Sequence, residues 1–493
     1  MKYLSTRNSQ TRVSAAQAIL QGLADDGGLF LPETIPAISL DEIKELCSMN
    51  YQQRATNIMA RYLDDFTEEE LKSFADLAYA KNYDTEEIAP VHFLNDNTAF
   101  LELWHGPTCA FKDMALQMLP RLLTASLKKL GETRKACILV ATSGDTGKAA
   151  LEGFADVEGT SIIVFYPRDG VSNVQKLQMT TQRGKNVYVS AVDGNFDDAQ
   201  TGVKLIFGDK EFAEKLNENG VFLSSANSIN WGRLLPQIVY YFSAYCDFVN
   251  AGKIKMGDEI DFCVPTGNFG DILAGWYAKK MGLPVRKLIC ASNSNRVLTD
   301  FINTGVYNKN REFFTTISPS MDILVSSNLE RLLYMLSDDS KVKEWMKELN
   351  TKGTYEIDKD VHEALRKDFD CGCSSDRQAM DVIKEVYTRD GYLMDPHTAD
   401  AYAVLEELRA KGEAFPTVVV STASPFKFCD SVLEALEAKY DPEALELVSE
   451  LSEFCKLDAP KPLCGIGERE VRFKACTPKE EMPEVVLNFL SGK

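Results

Sequence analysis

Short, unbroken apolar runs recur between residues 90 and 421. Each is closed by a turn and followed by a helix-like pattern. They are Ile138-Leu139-Val140-Ala141, Ser161-Ile162-Ile163-Val164-Phe165-Tyr166, Val187-Tyr188-Val189-Ser190-Ala191-Val192, Ile260 to Val264, Lys287-Leu288-Ile289-Cys290-Ala291 and Thr417-Val418-Val419-Val420-Ser421. A strand with one wet face alternates apolar and polar residues, and these runs do not. They predict strands buried on both faces by helices, hence an α/β fold with parallel sheets. In such sheets a ligand sits beyond the carboxyl ends of the strands.

The turns at those ends are chemically loaded. Ser143-Gly144-Asp145-Thr146-Gly147-Lys148 and Gly267-Asn268-Phe269-Gly270-Asp271 each follow a strand and open a helix. Glycines let backbone N–H groups approach an anion, and a helix N-terminus adds partial positive charge. The first turn is not a nucleotide P-loop, because Thr142 stands where the first Gly is needed and Ala149 where Ser or Thr must follow the lysine. Ser421-Thr422-Ala423-Ser424-Pro425-Phe426-Lys427-Phe428 forms a third, hydroxyl-rich turn. Ahead of all three lies Leu103-Trp104-His105-Gly106-Pro107-Thr108-Cys109-Ala110-Phe111-Lys112-Asp113, with Lys112 poised before a helix-like run. A lysine amine, anion-ready turns and a polar partner for a ring nitrogen are the parts that hold pyridoxal phosphate.

The chain has 493 residues, enough for two or three domains and a large core. Its net charge of -19 argues against nucleic acid or an anionic membrane as partner. An anionic ligand would then need local cations and helix N-termini to offset the global field. The 12 cysteines are scattered and many sit in apolar runs, as reduced thiols of a cytoplasmic protein would. Cys371-Gly372-Cys373 lacks a second Cys pair or a nearby His, and the 4 histidines are not at ligand spacing, so no metal is expected. No apolar run approaches the roughly 20 residues that span a bilayer.

Residues 1–92 read as a mostly helical N-terminal domain. Thr67-Glu68-Glu69-Glu70 predicts a capping box, with Leu71, Phe74, Leu77 and Ala78 at helical spacing behind it. Residues 93–440 read as the catalytic α/β region. Within it, 305–385 is charged and helical without a site motif, and is expected to be an inserted helical part. Residues 441–493, acidic with Pro460, Pro462, Pro478 and Pro483, are expected to form a C-terminal appendage. Ala226-Asn227-Ser228-Ile229-Asn230-Trp231-Gly232-Arg233 is a polar cluster ahead of an apolar helix. Arg233 suits a bidentate phosphate contact, and the same cluster equally suits a capped helix start.

Together with Tyr3-Leu4-Ser5-Thr6-Arg7 and Gly22-Leu23-Ala24-Asp25-Asp26-Gly27-Gly28-Leu29-Phe30-Leu31-Pro32, these strings resemble the threonine synthase family, pyridoxal-phosphate enzymes of the tryptophan-synthase-β fold (type II). The resemblance covers most of the chain. It implies that Lys112 bonds the cofactor and then acts as base and acid, and that Gly267, Asn268, Phe269, Gly270 and Asp271 hold the cofactor phosphate. It also implies that Thr422 meets the ring nitrogen. A hydroxyl there does not force ring protonation, which biases chemistry toward elimination and addition. Ser143, Gly144, Asp145 and Thr146 would grip the substrate carboxylate, with Asp145 turned away from it. Asn227, Ser228, Asn230 and Arg233 would serve the rest of the substrate. Lys427 would be a second cation for the substrate phosphate or a solvated surface lysine. His105 and Thr108 would line the site. The chain departs from many relatives at Ser424 and Phe426, where those read His and Ala. The implied activity converts O-phospho-L-homoserine and water to L-threonine and phosphate by β,γ-replacement. Rival readings are a phospho-lyase of the same fold giving 2-oxobutyrate, and a non-catalytic metabolite-binding protein. A monomer or weak dimer is expected.

Overall fold

The computed structural model describes residues 1–492 apart from 143, 169, 170, 413, 414, 442 and 443, and the backbone alone at 196 and 197. Two sheets carry the architecture. The first has five parallel strands in the order Cys476–Thr477, Val187–Val192, Thr160–Pro167, Lys135–Ala141, Val221–Ser224. The second has six, in the order Phe369–Cys373, Val285–Ser292, Ile260–Pro265, Thr417–Ser421, Thr98–Glu102, Val91–Phe93, parallel except for the last pair. Every apolar run named above is one of these strands. Thr160–Pro167 is buried at every position, as a strand covered on both faces must be.

A central helix, Trp231–Asn250, has 17 of its 20 residues buried. A helix apolar all round belongs inside a large core. Pro236 lies within it and contributes no N–H to its ladder. The helix packs on Gly270–Met281, and Tyr241 lies 2.7 Å from where a Cβ on Gly275 would be, so only glycine permits this approach.

The mostly helical N-terminal region also carries an antiparallel sheet of Asn8–Val13, Tyr3–Ser5 and Phe30–Pro32. Tyr3-Leu4-Ser5-Thr6-Arg7 therefore has a structural role. Arg7 makes a paired contact to Glu330 at 2.9 and 2.8 Å, and Thr6 Oγ1 donates to the same carboxylate at 2.5 Å. Residues 305–385 are not purely helical, because Phe369–Cys373 is the edge strand of the six-stranded sheet, and Cys371-Gly372-Cys373 lies on it. The C-terminal segment, expected as an appendage, is built into the sheet and core. Cys476–Thr477 adds an edge strand beside Val187–Val192, and Met482 and Val486 enter a core with Val203 and Ile206.

The capping box at Thr67 forms as expected, with Glu70 N–H donating to Thr67 Oγ1 at 3.2 Å and Thr67 N–H to Glu70 Oε2 at 2.8 Å. The buried stripe behind it is Leu71, Ala75, Ala78 and Tyr79, and Leu77 is 59 % exposed on the opposite face.

Candidate active site

Lys112 sits where the two sheets' carboxyl ends meet the inserted segment. Its loop is stapled from within. Asp113 accepts from Thr108 N–H at 2.8 Å and Thr108 Oγ1 at 2.7 Å, and a Cβ on Gly106 would fall 2.6 Å from the same carboxylate. Burial raises Asp113 to about 6. The loop is then sewn to the third turn. Phe111 N–H donates to Thr422 O at 2.8 Å, Ala110 bridges Ala423, and Ser424 N–H donates to Cys109 O at 3.0 Å. Thr422 is thereby held beside Lys112, and its hydroxyl has no partner among the described residues.

The turn 267–271 is built for an anion. The N–H groups of Gly267, Asn268 and Phe269 meet no protein acceptor among the described residues. Phe269 is held left-handed at φ 62°, unusual for a non-glycine residue, and the helix Gly270–Met281 has no side-chain cap. Gly267 is required for a separate reason, since a Cβ there would meet Ser320 O at 2.5 Å. Asp271 is the exception in this turn. Its carboxylate accepts from Tyr240 OH at 2.6 Å and Tyr241 OH at 2.8 Å, and burial raises it to about 6. Its side chain braces the turn against the central helix and is turned away from a phosphate.

The turn at 143–147 has the same logic, with Ser143 outside the described residues. Thr142 Oγ1 accepts from Gly144 N–H at 3.0 Å and Gly147 N–H at 2.9 Å, and the N–H groups of Asp145 and Thr146 meet no acceptor among the described residues. Gly144, at φ 138°, lies where a Cβ would collide with Gln175 at 2.5 Å. The Asp145 carboxylate does not face a substrate. It lies 2.8 Å from Lys427 Nζ and 3.6 Å from Lys112 Nζ, and Gln175 Nε2 donates to it at 2.9 Å.

That arrangement also corrects Lys427. It is neither solvated nor open to a substrate phosphate. It is fully buried, and donates to Asp145 and to Thr108 O at 2.8 Å. Asn230 is corrected likewise: its Oδ1 caps the central helix through Gly232 N–H at 2.9 Å and its Nδ2 donates to Ile19 O at 2.9 Å, so its buried side chain serves the helix start. Asn227 O accepts from Asn230 N–H at 3.2 Å and Ser228 O from Asn328 Nδ2 at 3.2 Å, so both shape the loop entering that helix. His105 is occupied by Asp84 at 2.6 Å and Glu102 at 2.9 Å.

Arg233 stands apart. It is 3 % exposed, and the one hydrogen bond its guanidinium makes among the described residues is Nη1 to Ala226 O at 2.9 Å. Its Nε is buried without a partner, and no carboxylate pairs with it among the described residues. Burial alone lowers it to about 10, and its charge presses on the Lys112 amine. A buried guanidinium without a counter-ion is costly, and it marks a place for an anion.

Ser320 has no counterpart in the sequence reading. It lies in the segment expected to carry no site residue, yet its Oγ is 3.4 Å from Lys112 Nζ. Its N–H donates to His397 Nε2 at 3.1 Å, and His397 Nδ1 meets Asp395 at 2.6 Å. Ser326 and Asn328 bond the carbonyls of Gly267 and Asn268, so this segment lies directly on the anion turn. Only the short string Ser318-Pro319-Ser320, a Pro-led turn in a helical stretch, could have hinted at it.

The residues fit pyridoxal phosphate: a buried lysine, a turn with free amides, and a free hydroxyl beside the lysine loop.

Comparison with known proteins agrees. Three family models match: "Threonine synthase N terminus" over residues 2–79, "Pyridoxal-phosphate dependent enzyme" over 94–424 and "Threonine synthase, C-terminal" over 398–484. Threonine synthase of Saccharomyces cerevisiae is 38 % identical, covering 98 % of this chain and 99 % of its own. That of Pseudomonas aeruginosa is 40 % identical over 88 % of this chain and 90 % of its own. Threonine synthase-like 1 of Homo sapiens is 42 % identical over 89 % of this chain, which spans only 61 % of that longer protein. Among solved structures, the PLP-bound threonine synthase from Brucella melitensis superposes with a TM-score of 0.88 at 36 % identity, covering 100 % of this chain and 99 % of its own. The yeast enzyme gives 0.89 at 36 % identity, with the same coverage. No helix among the described residues is long and apolar enough to cross a membrane. By sequence, by fold and by the placement of lysine, turns and hydroxyl, the chain belongs to the threonine synthase family of pyridoxal-phosphate-dependent enzymes.

Proposed function

We propose that this protein converts O-phospho-L-homoserine and water to L-threonine and phosphate. Arg233 carries the reading. It is a buried cation with no counter-ion among the described residues, and its charge acts on the amine that would do the chemistry. A substrate with a phosphate at its far end supplies that counter-ion.

Lys112 would hold the cofactor through its Nζ, and Gly267, Asn268, Phe269 and Gly270 would bind the cofactor phosphate through backbone N–H groups. Thr422 Oγ1 would meet the ring nitrogen as a neutral partner. The free amides of Asp145 and Thr146 would receive the substrate carboxylate at a helix start. The bound cofactor supplies an electron sink that lets substrate carbon atoms release protons. Lys112 Nζ, once free, would take the proton from Cα, give it up to the electron sink and only then, neutral again, take the proton from Cβ. Phosphate departs from Cγ toward Arg233, water adds at Cβ, and Lys112 Nζ returns protons. Burial holds its amine below the usual lysine range, which favours its acting as a base.

A cytoplasmic location and a monomer or weak dimer complete the proposal. The activity is tested by incubating the cofactor-loaded protein with phosphohomoserine and resolving threonine from 2-oxobutyrate. Threonine with equimolar phosphate supports it. 2-Oxobutyrate alone assigns the protein as a phospho-lyase, and neither product removes the activity.

A further inference from the structure

Asp145 occupies an odd place. A carboxylate in a turn meant for an anionic substrate ought to repel it, yet this one is 4 % exposed and turned inward. Three groups converge on it from three parts of the chain. Lys427, from the turn after Thr417–Ser421, is at 2.8 Å. Gln175, from the helix Asn173–Thr180, donates at 2.9 Å, and Lys112 lies at 3.6 Å. Both partners beyond Lys112 are themselves fixed. Lys427 also donates to Thr108 O, and Gln175 is 1 % exposed, with its N–H bonded to Ser172 Oγ at 3.2 Å. The Gln175 amide is pressed against Gly144, where no side chain could intervene. The carboxylate is therefore clamped, and the one mobile group it addresses is the Lys112 amine.

We propose that Asp145 is a positioning residue: the clamped counter-ion of the Lys112 amine, which sets where that amine rests and how tightly it holds a proton once it is released from the cofactor. This rests on the reading of Lys112 as the cofactor lysine. The charges around that amine are few. Asp145 favours its protonated form, Arg233 and Lys427 oppose it, and Asp271 faces it from the helix Gly270–Met281. Burial opposes the charge as well. Asp145, at 3.6 Å, opposes burial by favouring the charged amine. Lys427 serves a different purpose from Arg233: it holds Asp145 ionised, so that Asp145 does not take the proton itself. The Asp145 and Thr146 N–H groups meet no acceptor among the described residues, so one turn can address an anion with its backbone while its side chain addresses cations.

The test is the isosteric variant Asp145→Asn, read by competitive acylation of Lys112 in cofactor-free protein across pH, with the Lys112 peptide quantified by mass spectrometry. The expected result is a fall in the labelling midpoint of Lys112 by about 1 pH unit or more, the usual effect of losing an opposite charge at this range. Midpoints of surface lysines should stay put. If Asp145→Asn fails to fold because Lys427 is left buried and unpaired, Asp145→Asn with Lys427→Met removes both charges, and a smaller fall in the same direction is expected. An unmoved Lys112 midpoint in a folded variant overturns the proposal. A wild-type protein that binds pyridoxal phosphate through another lysine overturns the functional reading instead, so the two failures are distinguishable.

Discussion

Arg233 shows how far a single side chain can be read. The protein buries its guanidinium with one carbonyl as partner. A charge-assisted hydrogen bond contributes roughly 1.5–3 kcal/mol, so Arg233→Ala should raise KM for phosphohomoserine about tenfold to a hundredfold and weaken phosphate inhibition in parallel. The same residue should cost stability when no anion is bound. Arg233→Met is expected to melt at or above the wild-type temperature in phosphate-free buffer, and addition of phosphate should raise the melting point of the wild type alone. Lys112→Ala should abolish turnover and leave the circular dichroism spectrum unchanged. Thr422→Asp should raise 2-oxobutyrate relative to threonine, measured as a product ratio, because a carboxylate would favour a protonated ring.

Not every residue role was legible. Lys112, Gly267 and Thr422 stood out because their turns have local grammar, a glycine or hydroxyl after an apolar strand. Lys427 and Asp145 were visible as residues, but their pairing was not. Nothing local tells a lysine at 427 that its partner stands at 145. Ser320 gave less still, since a serine after a proline is common in loops.

At the scale of elements, strands with long apolar runs were legible, and Thr98–Glu102 and the four edge strands of the two main sheets were not. Phe369–Cys373 carries Asp and Gly, poor strand formers, and is a strand because Val285–Ser292 offers it an open edge. Cys476–Thr477 is too short to leave a pattern. Gly267 shows what element packing demands. Gly267→Ala would drive a Cβ into the Ser320 carbonyl, a backbone atom that cannot swing aside. It should therefore weaken cofactor affinity by displacing the turn or the 318–328 segment, measured by titration of cofactor absorbance, with little change in helix content.

At the scale of the whole molecule, electrostatics sets a pH limit. His105 is half-enclosed between Asp84 and Glu102. Burial pushes it down, but the two carboxylates outweigh burial and raise it from the usual 6.5 to about 9. A group that binds its proton more tightly when folded stabilises the fold below its unfolded value and ceases to as pH rises through its folded value. His105→Gln should thus lower the melting temperature at pH 6 more than at pH 10, and an equal loss at both would remove this role.

The clamp on Asp145 has a consequence for biosynthesis. Lys427 and Thr108 are 319 residues apart in sequence yet touch through one hydrogen bond. On the ribosome the lysine loop and the 143–147 turn emerge long before the segment that neutralises them. Until residue 427 appears, Asp145 lacks its principal counter-ion, so the site closes as one of the last acts of folding. Nascent chains stalled before residue 427 should hold no pyridoxal phosphate.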